Sequence, residues 1–454
     1  MRVALTAAAL CVGGAGTLGL TSGADSASAD VASLKQKAET KTAKAVKRKL
    51  LRDRTPGLAK HDLQIKVPSC KQRTKRGRLA GFRCRWNVKG ELPGLVPVRC
   101  NGQARVNARA KKAKPGRCKN KAELQAPLQR QPADILFGYF EDFSSIPDLF
   151  GYVGAGGGTV IREDIDWRLL QPTPGGDPST WDWSTFDAVY GQAIAAGLRP
   201  VFTFHNAPCW AVPAPCAPNA PNPVAPDFVD EYAHAAAQIA LRYPSSLAIE
   251  IWLEPNSARF WGAPADPAAF AALVGAAADA IHATGTGVGV YSGGLAPGSA
   301  AADKIEFGAF LSQALDAGGV QRADAIGFHA VTETPFTPGD QPTKGYLGRL
   351  RIQLQTMNTA LADHQTSKPI VLTQLSYSSA PGFYTEAQQA EALASSYELV
   401  RRIADVPVVI VSRLFDNGGG SKVQGFGVLR SDRAPKPAYC ELAAARGVAK
   451  PPGC

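Results

Sequence analysis

Between Ala133 and Val411 the chain repeats one pattern. Four to six consecutive apolar or β-branched residues are followed by an alanine-rich stretch whose apolar positions recur at helical spacing. The short runs predict eight strands: 135–140, 159–162, 200–204, 247–252, 288–291, 325–328, 369–373 and 407–411. Helices are predicted at 146–152, 186–196, 227–243, 267–284, 305–317, 346–362 and 385–403. Eight strand–helix units make this an α/β chain, with a (β/α)8 barrel over residues 131–454. A doubly wound open sheet usually has fewer strands and often carries a phosphate-cradling glycine loop. The glycine run Gly154–Gly158 precedes a strand instead of joining strand to helix, so it is not a dinucleotide site.

The pattern before Ala133 is different. Met1-Arg2 leads into a small-residue apolar run through Leu20, and a polar stretch ends at Ala27-Ser28-Ala29. This predicts a signal peptide over 1–29, cut before Asp30. No later segment could span a membrane, which places the mature chain outside the cell or at its wall. Residues 30–61, rich in Lys and Ala, form a basic flexible or helical arm with few large apolar residues, expected to be solvated. Residues 62–130 alternate in short β-like sections such as Phe82-Arg83-Cys84-Arg85-Trp86, predicting a small basic β-rich module and linker.

Charge divides the chain in the same place. Residues 31–130 carry 29 Lys or Arg against 5 Asp or Glu, whereas residues 131–454 carry 20 against 31. Such a basic surface attracts polyanions by its field. For an exported chain the available polyanions are wall polymers, acidic polysaccharide or lipid headgroups; attachment to an anionic cell-wall polymer through residues 31–130 is expected and no nucleic acid partner is, with a solubilising linker as the plain alternative.

Eight cysteines remain after Cys11 leaves with the signal. An even count in an exported chain predicts disulfides. Proximity favours Cys209–Cys216 and Cys440–Cys454. Cys70, Cys84, Cys100 and Cys118 admit three pairings, among them Cys70–Cys84 with Cys100–Cys118. Their spacing does not suit a zinc knot.

Chemistry in such a barrel gathers where strands end. Arg162, Glu163, Asp164 and Asp166 follow the second strand, and His205, Asn206 and Trp210 the third. Glu254 and Asn256 follow the fourth, Tyr291 lies in the fifth, and His329 and Glu333 follow the sixth. Gln374 and Tyr377 follow the seventh, and Asp416 the eighth. Aromatic rings with carboxylates suit a sugar, whose apolar face they cover and whose hydroxyls they fix. Arg162 is expected to pair with a carboxylate inside the mouth. Three histidines with an open metal position do not occur together, and no Gly-x-Ser-x-Gly elbow is present, so zinc and serine hydrolase chemistry are disfavoured. Neither metal nor cofactor is expected.

Several ordered marks resemble the retaining glycoside hydrolases of clan A, nearest the family 39-like and family 5-like xylosidase and cellulase group. These are Arg162-Glu163-Asp164-Ile165-Asp166-Trp167, Trp181-Asp182-Trp183, Trp252-Leu253-Glu254-Pro255-Asn256, Gly327-Phe328-His329 and Pro369-Ile370-Val371-Leu372-Thr373-Gln374. Gly425-Phe426-Gly427-Val428 and Pro435-Lys436-Pro437-Ala438-Tyr439 resemble the family's end. The resemblance implies a secreted glycosidase with Glu254 as general acid/base. Two positions depart from the family: Leu253 stands where its motif has Asn, and Gln374 where its nucleophile is Glu. An amide is a poor nucleophile, so the ordinary covalent route is crippled. Three readings stay open. Another carboxylate (Glu333, Asp416, Glu163 or Asp166) acts with Glu254; or the substrate supplies its own nucleophile, oriented by Gln374; or the barrel binds glycans without cutting them.

Overall fold

The computed structural model describes residues 23–52, 64–76, 78–92, 96–115, 135–145, 147–213, 216, 223–298, 300–332, 342–403, 406–416 and 425–454. They form two compact units.

The smaller unit combines helix α1 (Gly23–Arg52) with a sheet of four strands in the order β1 (Gln64–Lys75), β2 (Arg78–Leu92), β3 (Val96–Asn107) and β4 (Ala113–Pro115). The β1–β2 and β3–β4 pairs are antiparallel. Cys70 lies directly opposite Cys84 and is bonded to it; Cys118 falls outside the described residues. Along β2, Phe82, Cys84, Trp86 and Val88 are buried while Arg83, Arg85 and Asn87 are exposed, the period-two pattern of a sheet covered on one face. Ala38 of α1 packs into the same cluster as Cys70, Phe82, Cys84 and Val106. Ala38, Thr42, Ala45 and Val46 are buried at helical spacing. Over residues 30–52 the arm expected to be solvated is therefore a helix with one packed face. Its small side chains bring the helix backbone close, so large apolar residues are not needed.

The larger unit is a barrel of eight parallel strands. They are β5 (Leu136–Phe140), β6 (Val160–Asp166), β7 (Arg199–His205), β8 (Ala248–Leu253), β9 (Gly289–Gly294), β10 (Ile326–Thr332), β11 (Ile370–Tyr377) and β12 (Val408–Ser412). They pair in sequence, and β12 returns to β5. The β9–β10 seam closes through isolated parallel bridges, Tyr291 to Ala325 and Leu295 to Phe328. Short helices α2 (Phe150–Ala155) and α3 (Trp167–Leu170) precede the outer ring. That ring comprises α4 (Ser184–Ala195), α5 (Val229–Arg242), α6 (Pro267–Ala283), α7 (Phe307–Ala317), α8 (Pro342–Asp363) and α9 (Glu386–Ile403), and α10 (Pro437–Ala445) follows the last strand. Disulfides Cys209–Cys216 and Cys440–Cys454 are formed. Among the described residues no helix is long and apolar enough to cross a membrane.

The inside of the barrel is layered, because alternate residues of a strand point inward. Val160, Val201, Ala248, Tyr291, Ala325, Val371 and Val408 belong to one apolar cluster that forms the floor. Two residues further along their strands, Arg162, Thr203, Glu250 and Thr373 form a fully buried polar layer. Another step brings Asp164, His205 and His329 to the rim.

Candidate active site

The polar layer is organised by Glu250. Its Oε2 accepts from Arg162 Nε at 2.8 Å and from Thr203 Oγ1 at 2.8 Å, while its Oε1 accepts from Thr373 Oγ1 at 2.6 Å. All four side chains are withdrawn from water. A lone buried carboxylate is costly, but the guanidinium and two hydroxyls meet this one. Arg162 thus pairs with a carboxylate inside the barrel, as its position suggested. Burial works against its charge, yet Glu250 and Asp164 together push its basicity above the ordinary arginine range. Gly327 has to be glycine at this level: a Cβ there would lie 2.4 Å from Ser292 O and 3.0 Å from Glu250 Oε1.

At the rim, Glu254 Oε1 lies 2.9 Å from His329 Nδ1. The His329 side chain is fully buried, whereas that of Glu254 is 19% exposed, so one carboxyl group joins the buried layer to solvent. The chain leaves β8 through two non-glycine residues of positive φ, Trp252 at 72° and Glu254 at 41°. A bulky residue in the left-handed region is strained. Trp252 is held there by packing on Tyr232 and Trp261 and by donation from its Nε1 to Phe260 O. Glu254 N donates to Gly294 O at 3.1 Å. A Cβ on Gly294 would fall 2.2 Å from His329 Nε2, so the imidazole occupies the space that this glycine leaves.

Gln374 is half-buried and paired across the sheet with His329. The register of β11 slips against both neighbours here, the mark of a bulge. Leu372 and Leu375 both belong to the outer core, which leaves Thr373 and Gln374 together on the inner face.

Asp164 has Oδ1 3.4 Å from Arg162 Nη2 and Oδ2 3.6 Å from His205 Nε2. Loss of water opposes its ionisation, but Arg162 and then His205 outweigh this and bring its pKa down to about 2. Asp164 is an anion at any ordinary pH.

The remaining rim carboxylates are engaged elsewhere. Glu163 is buried and accepts from Phe143 N, and burial with the charge of Asp164 raises its pKa well above the ordinary value. Asp166 caps α3, binds Arg168 and accepts from Asn206 Nδ2 at 2.9 Å. Asp416 meets the buried Lys436 at 2.6 Å and accepts from Gly427 N. Trp210 is half-buried against Trp167 and Phe228 and donates to Gln171 O.

Three sequence candidates are not brought to this group. Asn256 is fully buried and braces loops, donating to Ala296 O and Ile305 O and accepting from Ala296 N. Tyr291 faces inward but lies in the floor layer. Tyr377 packs outward against Tyr346 of α8, and its hydroxyl bonds Ser396 of α9 at 2.9 Å. Glu333 lies outside the described residues. Sequence reasoning gave no role to Glu250, although a carboxylate inside the apolar run Ile249-Glu250-Ile251 is a signal for a buried pair. It also missed Glu141, which accepts from Arg413 Nη1 at 2.6 Å and Phe415 N at 3.2 Å and ties the exit of β5 to that of β12. Among the described residues no cluster of His, Cys, Asp and Glu could hold a metal ion.

No protein-family model and no curated protein matches the sequence. Solved structures do. One is a family 39 glycoside hydrolase from the gut symbiont Bacteroides cellulosilyticus WH2, at 18% identity and TM-score 0.52, with 85% of this chain and 80% of that one covered. The barrel has the fold of these glycoside hydrolases. A family 39 enzyme from Xanthomonas axonopodis pv. citri is 16% identical at TM-score 0.52 over 70% of this chain and 67% of that one. A monomeric beta-xylosidase from Caulobacter crescentus CB15 is 19% identical at TM-score 0.51 over 69% and 67%. At these identities the likeness concerns fold and not chemistry.

Proposed function

We propose that the chain is a secreted protein whose barrel hydrolyses O-glycosidic bonds of a polysaccharide or oligosaccharide, with Glu254 transferring the proton at the glycosidic oxygen. The observation that carries this reading is the Glu254–His329 pair at 2.9 Å, set on a strained strand exit and still open to solvent. Strain of this kind is retained where a side chain must be held in one orientation. In the reaction Glu254 protonates the departing oxygen as the bond to the anomeric carbon breaks; water then supplies the hydroxyl that replaces it, and the proton this water loses returns to the Glu254 carboxylate, restoring the acid. Asp164, kept anionic by Arg162, is suited to stabilise positive charge developing at that carbon. Its depressed pKa makes it a weak base, which favours this electrostatic part over proton abstraction.

One observation favours a second reading, glycan binding without cleavage: Gln374 places an amide on the inner face beside His329. Aryl glycosides and wall-derived oligosaccharides, tested with the native chain and Glu254→Gln, separate the two. Turnover that falls at least a hundredfold in Glu254→Gln supports hydrolysis. Binding with no turnover across the panel overturns it in favour of the second reading.

A further inference from the structure

The two faces of the small sheet are unlike. One carries the cluster formed with α1; on the other, Lys71, Arg83, Arg85, Arg105 and Lys114 are all exposed. Residues 64–115 contain a single acidic residue, Glu91. The strand register sets like charges directly opposite one another: Lys71 faces Arg83, Lys75 faces Arg78, and Arg105 faces Lys114. Direct cross-strand pairs of like charge destabilise a sheet by an amount comparable to what an opposite pair contributes. Among the described pairs this sheet carries three of them, in a unit whose buried cluster is small and holds a disulfide.

We infer that the face bearing Lys71, Arg83, Arg85, Arg105 and Lys114 is a binding site for a linear anionic polysaccharide. Residues two apart on a strand lie about 7 Å from each other, and neighbouring strands about 4.8 Å apart. The cations therefore form a grid on which a polymer carrying one carboxylate per sugar can place successive charges. Arginine forks match such carboxylates two bonds at a time. The grid presents no aromatic ring, since Phe82 and Trp86 point to the opposite, buried face. A single-stranded nucleic acid would call for stacking platforms there. The choice of a glycan as the polyanion rests on the reading of the barrel; the cationic grid itself does not.

The test uses the full chain on immobilised polygalacturonate, with double-stranded DNA and neutral dextran as comparison ligands. Native protein is retained at low salt, elutes as salt rises and ignores dextran. Arg83→Gln/Arg85→Gln/Arg105→Gln weakens binding about tenfold or more. Lys35→Gln/Lys37→Gln/Lys41→Gln, which removes the same charge from the exposed side of α1, changes it less than about twofold. Arg→Lys replacements at the three arginines restore part of the loss, and circular dichroism of every variant matches the native chain. Equal losses from both neutralised triples would reduce the effect to net charge and overturn the proposal. So would tighter binding to DNA than to polygalacturonate, or no retention at all. Activity of the native chain and Glu254→Gln on neutral glycosides reports separately on the barrel, so the two readings fail independently.

Discussion

The imidazole of His329 and the carboxyl of Glu254 meet at 2.9 Å and join β10 to the exit of β8, one fully buried and the other reaching solvent. The ring fixes the direction of the carboxyl. Replacing Glu254 by Gln should cost at least a hundredfold in turnover with little change in stability. His329→Gln should retain more activity than His329→Ala and shift the pH–rate profile. Unchanged profiles in both His329 variants would leave the ring a packing residue.

Gly294→Ala tests the same pair from behind. The added methyl would stand 2.2 Å from His329 Nε2 and 2.8 Å from Thr373 Oγ1, so the imidazole must move. A loss of about 1–3 kcal/mol is expected from overpacking, together with a fall in turnover close to that of His329→Ala. Full activity in a folded Gly294→Ala protein would contradict the placement of the ring.

Two neighbouring carboxyls should respond to pH with opposite sign. Asp164 has a folded pKa of about 2, below its unfolded value, so its contribution to stability is complete above about pH 4 and fades as pH falls towards 2. Glu163 is raised, so the unfolded chain releases its proton first and stability declines as pH climbs from about 4 towards the folded pKa. Asp164→Asn should therefore lower Tm at pH 7 but converge with the native protein in acid. Glu163→Gln should match the native Tm near pH 4 and exceed it at neutral pH. Thermal melts at four or five pH values decide both.

Glu250→Gln leaves the buried Arg162 guanidinium without its countercharge. Removing one member of such a pair costs about 3–5 kcal/mol, readable as a lower midpoint in urea. A loss below about 1 kcal/mol would mean that Asp164 alone compensates Arg162.

The eight strands were legible because each is a short apolar run of the kind a barrel buries on both faces. Their C-terminal ends were not. The predicted ends fell at Arg162, Phe204, Phe328 and Thr373, while β6 continues through Asp166, β7 through His205, β10 through Thr332 and β11 through Tyr377. Most rim residues thus belong to strands instead of loops, and strand parity decides which way they face. The bulge at Thr373 and Gln374 shifts that parity by one residue and sends Tyr377 outward; nothing in the run Leu372-Thr373-Gln374-Leu375 announces it. Tyr291 has the inward parity but lies a level too deep, and depth inside a barrel cannot be counted from a single strand. Helix α1 was misjudged because alanines at 38 and 45 contribute little apolar area individually, although they allow close packing.

Glu250 has one further consequence. Through Arg162, Thr203 and Thr373 it fastens β6, β7 and β11 to its own strand, β8. Asp164, Gln374 and Glu254 stand on three of those four staves. Their spacing is therefore inherited from a bolt one storey below, and re-engineering the mouth by changing rim side chains alone would leave the gauge of the opening as it was.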